Sequence, residues 1–375
     1  MKNSRLKFIS SMVVVALALA LVLTPSLPAE ASRVKGVDIY IDIAYYYPDP
    51  PYGQGNLLDL YIPDIPGAVE LPLVIYHEGS AWLSDSSGKM IPPDILDYFI
   101  QQGYAVAGVN VRSSFQVNFP GQLLDIRAAI RWLRENADDY NIDPDRFAIM
   151  GTSSGGWLAA IAATTSDIWE FDGETGVQTS SAVQAAVPCS PPTDFLEMDA
   201  WYDAHPGIIS LFTHDLPYDP LAPPWIPIVF ASPESLLVGC TDGPNLLGIQ
   251  DCPEMTEEAN PITYIDGDEP LMHIFHAYYD PLVPHGQSEL LYEALAEAGN
   301  EVWFTSVPNN CHTFYNVLGI GPDIIDASDY TVYRTNPGGQ EEVYEAPDDD
   351  YAPTLENIEN FISNALNRAR VEAVG

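Results

Sequence analysis

The sequence predicts an α/β protein with a mostly parallel central sheet covered by helices on both faces. Three observations predict it. Short apolar runs bounded by glycine and proline alternate along the chain with stretches that are apolar at steps of three and four. Hydrophobic residues make up 47% and aromatics 11%, enough to bury a large core and too much for a disordered chain. The 375 residues show no internal repeat, and a single large α/β domain of this size is ordinary.

Each element follows from its residues. Leu57 to Ile62 and Leu71 to Tyr76 read as strands split by Pro63, Pro66 and Gly67. Pro93 to Gln102 has helical spacing through Ile95, Leu96, Phe99 and Ile100, and Gly103 introduces a strand from Tyr104 to Val111. Leu123, Ile126, Ile130, Leu133 and Ala137 predict an amphipathic helix over Gln122 to Ala137 with its arginines outward. Asp143, Pro144 and Asp145 read as a turn before a strand from Phe147 to Met150, and Gly156 to Ala163 as a small-residue helix. Strands Ala182 to Val187, Leu271 to Phe275 and Val302 to Val307 follow, with helices Gln287 to Ala298 and Leu355 to Arg370. Two stretches break the alternation. Leu196 to Ser232 is rich in proline and aromatics and too long for a plain connection, which predicts a cap insert. A second insert over 319–352 carries a possible hairpin, Tyr330 to Tyr333 and Glu342 to Glu345, around Pro337, Gly338 and Gly339.

The net charge is −39, from 53 acids and 14 bases. Such a chain has no basic face with which to displace counterions from phosphate, so nucleic-acid binding is excluded. The imbalance is a deficit of bases: Lys2, Lys7, Lys35 and Lys89 are the only lysines. It suits high salt, low pH, or simply an acidic exported protein.

Residues 1–31 read as a signal peptide. Lys2, Arg5 and Lys7 precede an apolar run from Met12 to Leu23, and Ala29, Glu30 and Ala31 supply the Ala-x-Ala site. The run is shorter than the ~20 residues of a membrane-spanning helix, although an uncleaved anchor is the competing reading. Export, with one domain over 32–375, is the expectation, with no integral membrane contact after cleavage. In such a compartment Cys240 and Cys252, which enclose a turn-rich loop, are expected to pair. Cys189 and Cys311 are left open as bonded or free.

Gly151-Thr152-Ser153-Ser154-Gly155 matches G-x-S-x-G, which a random chain of this length matches with a probability of about 0.1. Its context adds weight. A strand enters it and a helix leaves it, as a nucleophile elbow requires to expose the hydroxyl of Ser153 at the edge of the sheet. Gly121 to Leu158, around this motif, resembles the α/β-hydrolase superfamily, and within it the secreted esterases of the feruloyl-esterase-like and hormone-sensitive-lipase-like branches. Tyr76 to Trp82 (YHEGSAW), Ser190 to Phe195 (SPPTDF), Glu258 to Ile265 (EANPITYI), Asp280 to Pro284 (DPLVP) and Asn309 to Phe314 (NNCHTF) extend the resemblance in order.

An acid and a histidine must then follow the serine in the chain, on loops that leave later strands. Asp280 and His312 occupy those places, and the family's acid and histidine carry over to them. His276 reads as structural, while His77, His205, His214, His273 and His285 have no matching placement, and Asp194 resembles a family turn residue. A metal set from His273, His276, Asp280 and His285 is conceivable, but no H-E-x-x-H occurs and no cofactor or metal is expected.

The oxyanion donors are expected from the backbone of Ser154, Ser80 and Ala81. The loop departs from the family's His-Gly-Gly-Gly-Trp. Either Glu78 replaces the histidine, the gapless and preferred alignment, or His77 is that histidine and one residue is inserted. On the first alignment Glu78 is expected to pair with Arg112. The resemblance implies a secreted serine carboxylesterase acting on short-chain or plant-wall esters, small or polysaccharide-linked. A peptidase or amidase of the same fold, or an inactive binding protein, are the alternatives.

Overall fold

The computed structural model describes residues 32–34, 36–46, 53–67, 70–172, 179–208, 210, 212–214, 230–242, 245–315, 323–336, 340–346 and 351–374. The expected leader, the turn at 337–339, and residues 209, 211 and 215–229 of the expected cap lie outside them.

Eleven strands form one sheet: β1 (Ser32–Val34), β2 (Val37–Ala44), β3 (Leu57–Pro63), β4 (Leu71–His77), β5 (Ala105–Val109), β6 (Ile142–Thr152), β7 (Ala185–Cys189), β8 (Leu271–Ala277), β9 (Val302–Val307), β10 (Thr331–Thr335) and β11 (Glu341–Glu345). Their order is β1-β2-β3-β5-β4-β6-β7-β8-β9-β10-β11. The six strands from β5 to β9 run parallel, and the strands outside them at each end pair antiparallel. This is the mostly parallel sheet expected. The chain passes from β4 to β5 on one side and to β6 on the other, so the crevice outside the carboxyl ends of β4 and β6 is a topological switch point, where α/β sheets bind ligands.

Helices α1 (Pro93–Gln101), α2 (Gly121–Glu135), α3 (Ser154–Thr164), α4 (Met198–Ala204), α5 (Pro233–Val238), α6 (Pro253–Glu258), α7 (Gly286–Glu297) and α8 (Leu355–Val374) surround the sheet. The period-two alternation of the strands splits the core. Leu73, Ile75, Phe147 and Ile149 pack with Ile126 and Ile130 of α2, Trp157 of α3 and Leu291 of α7. Val74, Tyr76, Ala148 and Met150 face the other way, onto Ile95 and Phe99 of α1 and Ile358 and Ile362 of α8.

Three local expectations are corrected. Asp143 to Asp145 do not form a turn ahead of a strand: β6 already starts at Ile142, and its ladder with β4 shifts register there. The strand expected from Ala182 runs from Ala185 to Cys189, because Ala182 lies among carbonyls that bind Arg134. The arginines of α2 are not outward either. Arg127 and Arg131 are 1% and 2% exposed and both bind half-buried Asp172 at 2.7 Å, a pairing that the apolar periodicity could not reveal.

Other bases also pair with acids of the chain, some of them buried. Lys89 bonds Asp42 and, at 2.8 Å, Asp59; Arg146 bonds Asp143 at 2.6 Å; Arg334 and Arg368 share Glu301 at 3.2 and 2.7 Å. Cys240 and Cys252 form the expected disulfide, with Cα atoms 6.2 Å apart, while Cys189 and Cys311 are free and buried.

Candidate active site

The end of β6 presents Ser153. Its φ of 58° and ψ of −124° lie in a region that costs a non-glycine residue conformational energy, as a sharp strand-to-helix turn demands. The Ser153 N–H donates to Cys189 O at 2.8 Å and its carbonyl accepts from Trp157 N at 2.9 Å, which anchor the turn to β7 and to α3. Gly151 and Gly155 are needed for space: a Cβ on Gly151 would lie 2.5 Å from Gly155 O, and one on Gly155 would overlap His77 O.

Asp280, on the loop after β8, is fully buried. Its Oδ1 accepts from Leu282 N at 2.8 Å and Val283 N at 3.2 Å, and its Oδ2 lies 2.7 Å from His312 Nδ1. Burial alone would raise its pKa; the charge of His312 and the hydrogen bonds from His276 and His312 outweigh it and hold the carboxyl well below the usual range. His312 follows β9 and is 5% exposed. With Nδ1 donating to Asp280, its Nε2 is left as the proton acceptor. Ser153 and His312 both line a cavity of about 280 Å³, together with the loop Glu78 to Trp82.

His276, set aside in the sequence as structural, approaches the same carboxylate: Nε2 lies 3.3 Å from Asp280 Oδ2 and 3.1 Å from Val283 O, and Nδ1 lies 2.7 Å from Ser288 Oγ. The i,i+4 spacing to Asp280 was its signal. His273 lies on the opposite face of the sheet, against Phe275 and Phe361, with Nε2 2.8 Å from Thr305 Oγ1. Burial lowers its pKa to about 3. It cannot join His276 around one ion. His285 bonds Ser306 and Glu289, His205 stacks on Trp201, and Asp194 accepts from Asn260 Nδ2 at 3.2 Å. His214 lines the cavity, where its Nδ1 meets Glu234 at 3.2 Å; no sequence signal marked it.

The oxyanion loop differs from expectation at Ser80 and at His77. Ser80 N–H, expected to face the substrate, donates to Ser154 Oγ at 2.9 Å instead. Ala81 and Trp82 have φ of 51° and 57°, so the chain folds back on itself there, and Ala81 N–H has no acceptor among the described residues. His77 ends β4 in register with Gly151 and donates Nδ1–H to Val109 O at 2.7 Å, with its pKa lowered to about 4 by burial. This bond ties the start of the loop to the end of β5 and favours His77 over Glu78 as the counterpart of the family's histidine.

Glu78 does not pair with Arg112. Arg112 is committed to Asp125, Nε at 2.8 Å and a terminal nitrogen at 2.7 Å, because Asp125 is itself buried and needs the charge. Glu78 accepts instead from the phenol of fully buried Tyr76 at 2.6 Å. Burial raises its pKa, against the lowering effects of that bond, of His312 and of Gly79 N–H.

Residues 58–295 match the family model BD-FAE. Esterase LipQ of Mycobacterium tuberculosis is 28% identical over 71% of this chain and 56% of its own, so the chain spans about half the length of such curated relatives. Among solved structures, a truncated form of a carbohydrate esterase from gut microbiota superposes with a TM-score of 0.57 at 26% identity, over 74% of this chain and 90% of that one. A bifunctional GH43-CE protein of Bacteroides eggerthii gives 0.58 at 29% identity, over 75% and 36%.

Proposed function

Because the chain belongs to the BD-FAE family, with the α/β-hydrolase fold, we propose that it is a serine carboxylesterase acting on short-chain esters carried by plant-wall-type carbohydrate. The observation that carries this reading is the buried His312–Asp280 pair at 2.7 Å on the cavity that Ser153 also lines. Likeness to esterases and to a carbohydrate esterase supports the ester and the sugar.

In the proposed reaction His312 Nε2 takes the proton of Ser153 as its Oγ attacks the ester carbonyl, and Asp280 orients the ring and stabilises the imidazolium. The alcohol leaves with that proton. Water, activated by the same nitrogen, then releases the acid from the acyl-enzyme. Ser154 N–H, at the head of α3, and Ala81 N–H are the oxyanion donors proposed here; Ser80 N–H joins them only if it leaves Ser154 Oγ. Residues 196–232 are proposed to cover the site, which His214 already lines, and residues 1–31 to direct export.

Hydrolysis of p-nitrophenyl acetate against an aminoacyl p-nitroanilide tests the reading. Release from the ester is expected, and release from the anilide alone would replace it with an amidase. A panel of acetylated and feruloylated glycans then tests the substrate, and the N-terminal sequence of the exported protein tests cleavage after Ala31.

A further inference from the structure

The cavity beside Ser153 is acidic. Glu78 and Glu234 both line it, and among the described residues no lysine or arginine does. The two carboxylates are not equivalent. Glu234 is fully buried and has local compensation, from Ser232 Oγ at 3.0 Å and His214 Nδ1 at 3.2 Å. Glu78 has neutral donors, the Tyr76 phenol at 2.6 Å and the Gly79 N–H, and the base it senses is His312, which gains charge during turnover. Glu78 lines the cavity, and a carboxylate has about four acceptor sites, more than these two donors fill.

Resting on the esterase reading of this same site, we propose that Glu78 determines specificity: it selects esters whose alcohol half is an uncharged polyol, a sugar ring above all, and rejects those whose alcohol half bears a carboxylate. Sugar hydroxyls are donors, and a hydroxyl donating to a carboxylate is a charge-assisted bond that offsets the solvation Glu78 loses in the closed site. An anionic group faces the reverse. At roughly 7 Å and an effective dielectric of about 20, its repulsion by one carboxylate costs about fiftyfold in kcat/KM. An apolar alcohol gains nothing from Glu78. Glu78 thus separates neutral glycans from uronates.

The test is a matched pair of acetyl esters, one on methyl glucoside and one on methyl glucuronoside, with p-nitrophenyl acetate as reference. The wild type is expected to favour the glucoside ester by at least about twentyfold in kcat/KM, and Glu78→Gln to reduce that ratio about tenfold by raising turnover of the glucuronoside ester. A ratio in Glu78→Gln within twofold of wild type overturns the proposal. So does a wild type that treats the two esters alike. Should Glu78→Gln not fold, competitive inhibition of the wild type decides: methyl glucoside must inhibit at lower concentration than methyl glucuronoside, and the opposite order refutes the role. A wild type inert on p-nitrophenyl acetate refutes the esterase reading itself, which keeps the two failures apart.

Discussion

His276 and His312 direct ring nitrogens at one oxygen, Asp280 Oδ2, at 3.3 and 2.7 Å. Two donors on one oxygen divide its electron density, so each bond is weaker than it would be alone. Replacing His276 with Phe removes one donor and leaves Asp280 a stronger acceptor for His312. The carboxylate also loses a contact that fixes its orientation, and kcat on p-nitrophenyl acetate is expected to fall severalfold with the fold unchanged. An unchanged kcat would reduce His276 to packing.

Ser153→Ala is expected to leave less than about a hundredth of the wild-type esterase rate with an unchanged circular dichroism spectrum. Asp280→Asn should lower kcat by about 10⁴, because the amide presents the wrong hydrogen-bonding partner to Nδ1. Steady-state rates on p-nitrophenyl acetate measure both.

Ser154→Ala deprives Ser80 N–H of its acceptor at 2.9 Å. A backbone donor left unpaired in a closed site costs about 1–3 kcal/mol. Urea unfolding should show that loss, and the freed N–H should turn towards the cavity, so kcat is expected to fall less than stability does. A variant as stable as wild type would mean that the bond contributes nothing.

Arg112→Met strands Asp125, which is 1% exposed, and is expected to cost about 3–5 kcal/mol of stability. The pair lies away from the cavity, so the rate per folded molecule should be unchanged, a result that titration of active sites against denaturant midpoint can check.

Stability should fall on acidification as buried His77 is forced to take a proton. His77 is held neutral by burial, with its pKa lowered to about 4, whereas in the unfolded chain it titrates near 6.5. The unfolded state therefore binds the extra proton first. The His77 contribution is complete above pH ~6.5, shrinks as pH falls, and is spent near pH 4, a change of about 3 kcal/mol. His273, lowered to about 3, extends the loss further down. Denaturation midpoints measured across this range would check the slope, and His77→Gln should flatten it. A flat profile in the wild type would contradict the buried neutral state.

What the sequence revealed depended on how local each signal was. The elbow at Ser153 was legible because glycine, serine and the flanking apolar runs all lie within 20 residues, and Asp280 and His312 because chain order restricts where such partners can stand. Elements with strong periodicity, such as α7 and β9, came within a residue or two of their bounds. The failures were questions of partnership. Nothing in the run RAAIRWLR says that Arg127 and Arg131 turn inward, since Asp172 lies some 40 residues on. Likewise Arg112 chose Asp125 over Glu78 because the buried acid has more to lose, and depth is invisible in composition. The alignment of His77 required knowing that its ring reaches the end of β5.

The inward turn of the bases has a colloidal consequence. With Arg112, Arg127, Arg131, Arg134, Arg146 and Arg334 bound to internal acids or carbonyls, the outer skin carries its carboxylates with few resident countercharges. Solvent cations must supply the double layer. At ~0.01 M salt that layer reaches about 30 Å from the surface and at 0.15 M about 8 Å, so the particle that neighbouring copies encounter is far wider than its covalent outline in dilute buffer. Gel filtration and light scattering should then report a molecule that shrinks as salt is added, although no atom of the fold has moved.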